Sequence, residues 1–184
     1  MLRAVGAIHT YATRPAVYVE YDSASPEVAQ HAGRLIEHAA PGTMAEHIGS
    51  TAAPGCAGKG IIDLMVLYPP GQLDLARDAI DVMGFQRQQT GHAFPEDRPM
   101  RVGAIQYDGK EYRLHVHIIS ADDPEVESLR AFRDALRSDR VMRNAYQARK
   151  RAILQSGVSD PADYTQAKSE FITAFMNGRS ASSA

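Results

Sequence analysis

His47-Ile48-Gly49-Ser50-Thr51-Ala52-Ala53-Pro54-Gly55-Cys56-Ala57-Gly58-Lys59-Gly60-Ile61-Ile62-Asp63-Leu64-Met65-Val66 is the stretch on which the reading of this chain turns. It is patterned as a strand end, a tight Gly-Ser turn, a glycine-rich loop with one lysine, and an apolar strand. A single carboxylate, Asp63, stands inside the apolar run. A carboxylate buried without a charged partner is costly, so Asp63 calls for an ion pair, a metal ion or a catalytic role. Gly49 and Ser50 can offer backbone N–H groups and a hydroxyl to a phosphate, and a strand carboxylate beyond them can hold Mg²⁺ against phosphate oxygens. A tight turn with a salt-bridged aspartate accounts for the same residues, and spacing alone leaves both open. The loop is not a P-loop: residue 60 is glycine where Ser or Thr is required, and a strand follows where a helix is required. Lys59 is then either a solvated loop lysine or a point charge able to reach a phosphate.

Working outward, residues 16–21 have strand composition. Ser25-Pro26 is a helix start with serine as N-cap, and Val28, Ala32, Leu35, Ile36 and Ala39 form one helical stripe ended by Pro41-Gly42. Residues 44–48 form a short strand. Residues 61–68 form a nearly continuous apolar strand, the pattern of burial on both faces. A second helix is marked by Leu73, Ala76, Ile80 and Met83 and stopped by Gly84, and residues 85–89 are a weak strand. Residues 100–107 and 111–120 are strands joined through Asp108-Gly109, a strong hairpin signal. After residue 120 the pattern turns helical. Asp122-Asp123-Pro124 starts a helix, Met142, Tyr146, Ile153 and Leu154 suggest another, and Asp160-Pro161 starts a third that ends at Gly178. No linker divides the chain, so residues 1–178 are expected to be one mixed α/β domain with a helical C-terminal section. Residues 179–184 are small and polar and are expected to be disordered.

The strand at 111–120 alternates cleanly. Tyr112, Leu114, Val116 and Ile118 face one way, and Glu111, Arg113, His115 and His117 face the other. Two histidines two residues apart on a strand can ligate one metal, and half-exposed strand histidines are also ordinary. Four ionisable groups in a row on one face call for a wet or liganded cleft. Cys56 lacks a local base other than His47, so packing explains it better than nucleophilic catalysis. On the late helices Tyr146-Lys150 and Tyr164-Lys168 repeat an i,i+4 pairing on one face.

The bulk numbers exclude several classes. The chain has 184 residues with a formal net charge of −2, so no basic surface announces nucleic acid. One cysteine precludes an internal disulfide framework. The N-terminus is short of a signal-peptide apolar run, and no run reaches the roughly 18 apolar residues of a membrane span. A cytoplasmic protein without membrane or nucleic-acid partners is expected.

The ordered motifs resemble those of the GrpB family. They are the 47–64 stretch, Leu114-His115-Val116-His117, Phe132-Arg133-Asp134, Leu136-Arg137, Tyr146-x-x-x-Lys150, and Tyr164-x-x-x-Lys168-x-x-Phe171-Ile172. The resemblance covers about residues 16 to 178. It implies a nucleotidyltransferase-like fold, a small mixed sheet flanked by helices. It further implies a nucleotide or other phosphorylated ligand, with Gly49, Ser50 and Thr51 at the phosphates. Lys59, Arg113, Lys150 and Lys168 would neutralise phosphate charge. Mg²⁺ or Mn²⁺ would sit on Asp63, with Zn²⁺ as the alternative if His115 and His117 share the site. Transfer of a nucleotidyl group to a small acceptor is the implied chemistry, with Asp63, His115 and His117 catalytic. A degenerate ligand-binding module and a metal-dependent hydrolase or ligase are the other readings. Three departures stand out: Met65 replaces the second acid of the superfamily's metal pair, Gly60 replaces a proline, and the chain has no tryptophan.

Overall fold

The computed structural model describes residues 7–10, 17–88 and 94–155. The helix expected after Asp160, Lys168 with it, and the terminal tail lie outside the described residues.

Five strands form one mixed sheet. In chain order they are β1 (Met44–Ile48), β2 (Ile61–Tyr68), β3 (Gln86–Arg87), β4 (Met100–Tyr107) and β5 (Lys110–Ser120), with spatial order β1-β2-β5-β4-β3. Only β2 and β5 run parallel; every other pair is antiparallel. The helices are α1 (Ser25–Ala39), α2 (Leu73–Val82), α3 (Glu125–Ser138) and α4 (Arg140–Gln155). The β4–β5 hairpin closes with Tyr107 opposite Lys110. Its two turn residues, Asp108 and Gly109, both have positive φ (51° and 76°), as the favoured two-residue hairpin turn requires.

Alternation sorts the strand side chains onto two faces. Ile62, Leu64 and Val66 of β2 and Leu114, Val116 and Ile118 of β5 are buried beneath Val28, Ala32 and Ile36 of α1 and Ala76 and Ile80 of α2. Each such side chain contributes about 1.5–3 kcal/mol by leaving water, so this face carries the fold. The other face is split. Ile48, Met65, Leu67 and Ile119 pack under Val126 and Leu129 of α3. Asp63, Arg113, His115 and His117, on the remaining part of that face, are only half-buried.

Several sequence expectations are corrected. The strand expected at residues 16–21 is not part of the sheet over its described residues, 17–21; Val19 bridges only Gly58, because this segment lies beside the glycine loop rather than beside a strand. The helix cap falls on Ala24, not Ser25. The Asp22 carboxylate accepts the Ala24 N–H at 2.9 Å, and Ser25 is the buried first helical residue. The loop after Gly49 contains one 3₁₀ turn, Ser50–Ala52. The weak strand at 85–89 contracts to Gln86–Arg87. Among the described residues no helix is long and apolar enough to cross a membrane.

Candidate functional site

Register brings the predicted residues together. Asp63 lies opposite Ile48 on one side and His115 on the other, and Met65 lies opposite His117. Asp63 Oδ1 stands 3.6 Å from His115 Nδ1 and 3.8 Å from His117 Nε2. Gly49 follows Ile48 directly, so the turn sits on the carboxylate: a Cβ on Gly49 would lie 2.6 Å from Asp63 Oδ2. The Gly49 backbone, at φ 72° and ψ −166°, occupies a region essentially reserved for glycine. Glycine is thus required here twice, by its dihedrals and by the close approach.

A short relay holds this turn. Thr51 Oγ1 donates to the Ile61 carbonyl at 3.2 Å. Its one proton being committed, the 3.0 Å contact with His47 Nε2 has the imidazole N–H donating to Thr51 Oγ1. Burial pushes the His47 pKa down to about 4, outweighing the attraction of Asp63, and Arg137 and Arg133 add to the effect. His47 is therefore a neutral donor at neutral pH. Sequence reasoning considered it only as a base for Cys56. Its position two residues before Gly49 was the available signal.

The glycine loop is held from α4. Lys150 is 2% exposed; its Nζ donates to the Ala57 carbonyl at 2.5 Å and lies 4.4 Å from the centre of the Tyr146 ring. Gln147 Oε1 accepts the Ala57 N–H at 2.9 Å. A Cβ on Gly58 would lie 2.7 Å from Lys150 Nζ and 3.1 Å from Ser50 Oγ, so both groups border this glycine. The first Tyr-x-x-x-Lys pair therefore grips the loop from within. The second lies outside the described residues. Arg137 Nε donates to the Ala52 carbonyl at 2.8 Å, so α3 also grips the turn. Arg113 Nη2 donates to the Lys59 carbonyl at 3.0 Å. Cys56 is buried, and burial pushes its thiol up, away from nucleophilic use. Phe94, which the sequence did not single out, sets its ring edge-on to His117 at 5.5 Å.

The superfamily's two-carboxylate, two-metal arrangement does not fit this chain. Met65 is fully buried in the apolar cluster under α3, where no ion would find ligands. Asp63, His115 and His117 offer an oxygen and two nitrogens, a donor set suited to Zn²⁺ or Mn²⁺. Among the described residues, however, no three His, Cys, Asp or Glu groups stand arranged to hold a metal ion.

The five-stranded mixed sheet and its flanking helices have the nucleotidyltransferase-like fold. A cytoplasmic RNA terminal U-transferase shares the fold at a TM-score of 0.52 and 12% identity, over 81% of this chain and 48% of that one. The GrpB protein family profile matches residues 15–177; the chain belongs to the GrpB family. GrpB from Enterococcus faecalis aligns at a TM-score of 0.63 and 22% identity, over 87% of this chain and 99% of that one. A UPF0157 protein of Streptomyces coelicolor is 30% identical over 86% of this chain and 81% of its own length.

Proposed function

We propose that the chain binds a nucleotide, or another phosphorylated small molecule, with its phosphates at the Gly49-Ser50-Thr51 turn. The observation that supports this reading is the turn lying directly on Asp63. The carboxylate lies against the Gly49 backbone, and the Ser50 hydroxyl and the Lys150 ammonium both border Gly58 of the adjoining loop. Asp63 supplies one carboxylate for a single Mg²⁺ or Mn²⁺ entering with the phosphates, which would offset their charge. His115 and His117, beside that carboxylate, accept or return a proton if a small acceptor attacks. Lys59 and Arg113 add positive charge at the mouth. The buried lone thiol agrees with a reducing, cytoplasmic setting.

The test is a thermal-shift screen of nucleoside mono-, di- and triphosphates with and without Mg²⁺, Mn²⁺ and Zn²⁺, on wild type and Asp63→Ala. A ligand at 100 times its Kd should stabilise the fold by about 2.7 kcal/mol, a rise of several degrees. The metal-dependent part of that rise should vanish in Asp63→Ala. A wild type that no pair shifts ends the proposal. A full, metal-dependent shift retained in Asp63→Ala ends the role of that residue. A second reading, ligand binding without turnover, is favoured by Met65, whose apolar burial removes the second metal. Absence of product from a ligand that binds would select it.

A further inference from the structure

A chamber of about 310 Å³ adjoins the proposed phosphate turn, with Thr51, Lys59 and Arg113 in its lining. Its outer wall is the segment at residues 17–22, which is pinned at both ends. At one end Val19 and Gly58 exchange two backbone hydrogen bonds, 2.7 and 3.0 Å, and Tyr18 stacks under the Arg151 guanidinium at 4.6 Å. At the other end Asp22 forms an ion pair with Lys110 and accepts the Tyr112 hydroxyl at 2.9 Å. The segment is thus a fixed strap across the glycine loop and the start of β5. It encloses a space within the size range of small-molecule sites.

The chamber is polarised. The strap contributes Glu20 and Asp22, and the loop and β5 contribute Lys59, Lys110 and Arg113, with Asp22 and Lys110 already paired to each other. Glu111 also lines the chamber and is paired with His9 at 3.3 Å. Signs this balanced repel neither cations nor anions as a class, and they gain most from a ligand with one charge of each sign. A bare phosphate would meet the carboxylates, and an apolar molecule would strand the charges without water.

We propose that this chamber binds a small zwitterion with an amino-acid head group, its ammonium toward Glu20 and its carboxylate toward Arg113 and Lys59. Arg113 gives one N–H to the Lys59 carbonyl and keeps further guanidinium donors for a carboxylate. The chamber shares Thr51, Lys59 and Arg113 with the proposed phosphate site but is tested without nucleotide or metal, so failure of either leaves the other standing.

The free L-amino acids are screened singly by thermal shift at about 10 mM, which detects Kd values into the millimolar range, and the strongest is titrated by calorimetry. Removing either charge, as the N-acetyl derivative or as the carboxamide, should weaken binding about tenfold or more, as expected for a lost charge-assisted contact. Val17→Trp narrows the mouth at a position 55% exposed, and Glu20→Gln removes one exposed wall charge. Both should keep the wild-type melting temperature and lose binding. The proposal is overturned if no amino acid registers, if either singly charged derivative binds within about twofold of its parent, or if both folded variants bind like wild type.

Discussion

Gly49 and Asp63 form the tightest contact of the site, and the two constrain each other. At Gly49 any side chain meets two penalties. The backbone penalty is about 1–3 kcal/mol for a residue outside its allowed region, and the steric one comes from Asp63 Oδ2 at 2.6 Å from the added carbon. Gly49→Ala should therefore destabilise the fold by about 2–4 kcal/mol in urea unfolding. Adding Asp63→Ala removes the steric part and leaves the backbone part. The double-mutant cycle should show coupling of about 0.5–3 kcal/mol, and a strictly additive result would place the turn away from the carboxylate. Asp63 was legible in the sequence because an acid in an apolar strand is a local anomaly. What the sequence left open was its surroundings. His115 comes within 4 Å because β2 and β5 pair in parallel, Asp63 opposite His115, and that register is a property of the fold.

At the scale of elements, the strands were the most legible part. Residues 61–68 and 100–107 were read to the residue, since apolar runs with turn signals at both ends leave little choice. The alternation of β5 also fixed which of its side chains face the site. The segment at 17–22 was misread because Val, Tyr and Glu in alternation fit a strap as well as a strand; what differs is the partner, one glycine here. The docking of α4 was hidden for a related reason. It depends on Gln147 and Lys150 reaching residues about ninety positions earlier, and no local pattern encodes that. Both peptide groups of Ala57, itself buried, are satisfied by these two side chains, as buried backbone groups must be. Gln147→Leu leaves the Ala57 N–H without its acceptor. It should cost about 1–3 kcal/mol, and amide exchange at residues 56–58 should quicken more than in β2. Unchanged exchange in the loop would show that α4 does not hold it.

For the whole molecule, the division of labour between the sheet faces sets where pH acts. The face under α1 and α2 is apolar apart from His47 and the buried Arg101, which pairs with Asp81 and Glu96. The other carries Asp63, Arg113, His115 and His117, while His47, beside Leu64, is kept neutral where β1 meets the turn. Its pKa falls from 6.5 to about 4 on folding. Between those values the unfolded chain binds a proton that the native state refuses, so stability rises with pH across that window and is lost as pH falls through it. The full excursion is worth roughly 3 kcal/mol at most. The carboxylates held down by basic partners act lower. Arg130 and Arg133 lower Glu46, Lys110 lowers Asp22, and Arg101 and Arg87 lower Glu96. Their contributions are present above the ordinary carboxylate range and disappear as pH falls through it. The two effects separate in His47→Gln, which keeps an N–H donor for Thr51 but cannot titrate. Urea unfolding at intervals from pH 4 to 7 should show wild-type stability climbing between about 4.5 and 6.5 and the variant nearly flat there, both falling together at lower pH. Parallel curves for the two proteins across that window would mean that His47 titrates as freely in the native state as in the unfolded chain, and that the relay to Thr51 does not depend on a neutral imidazole.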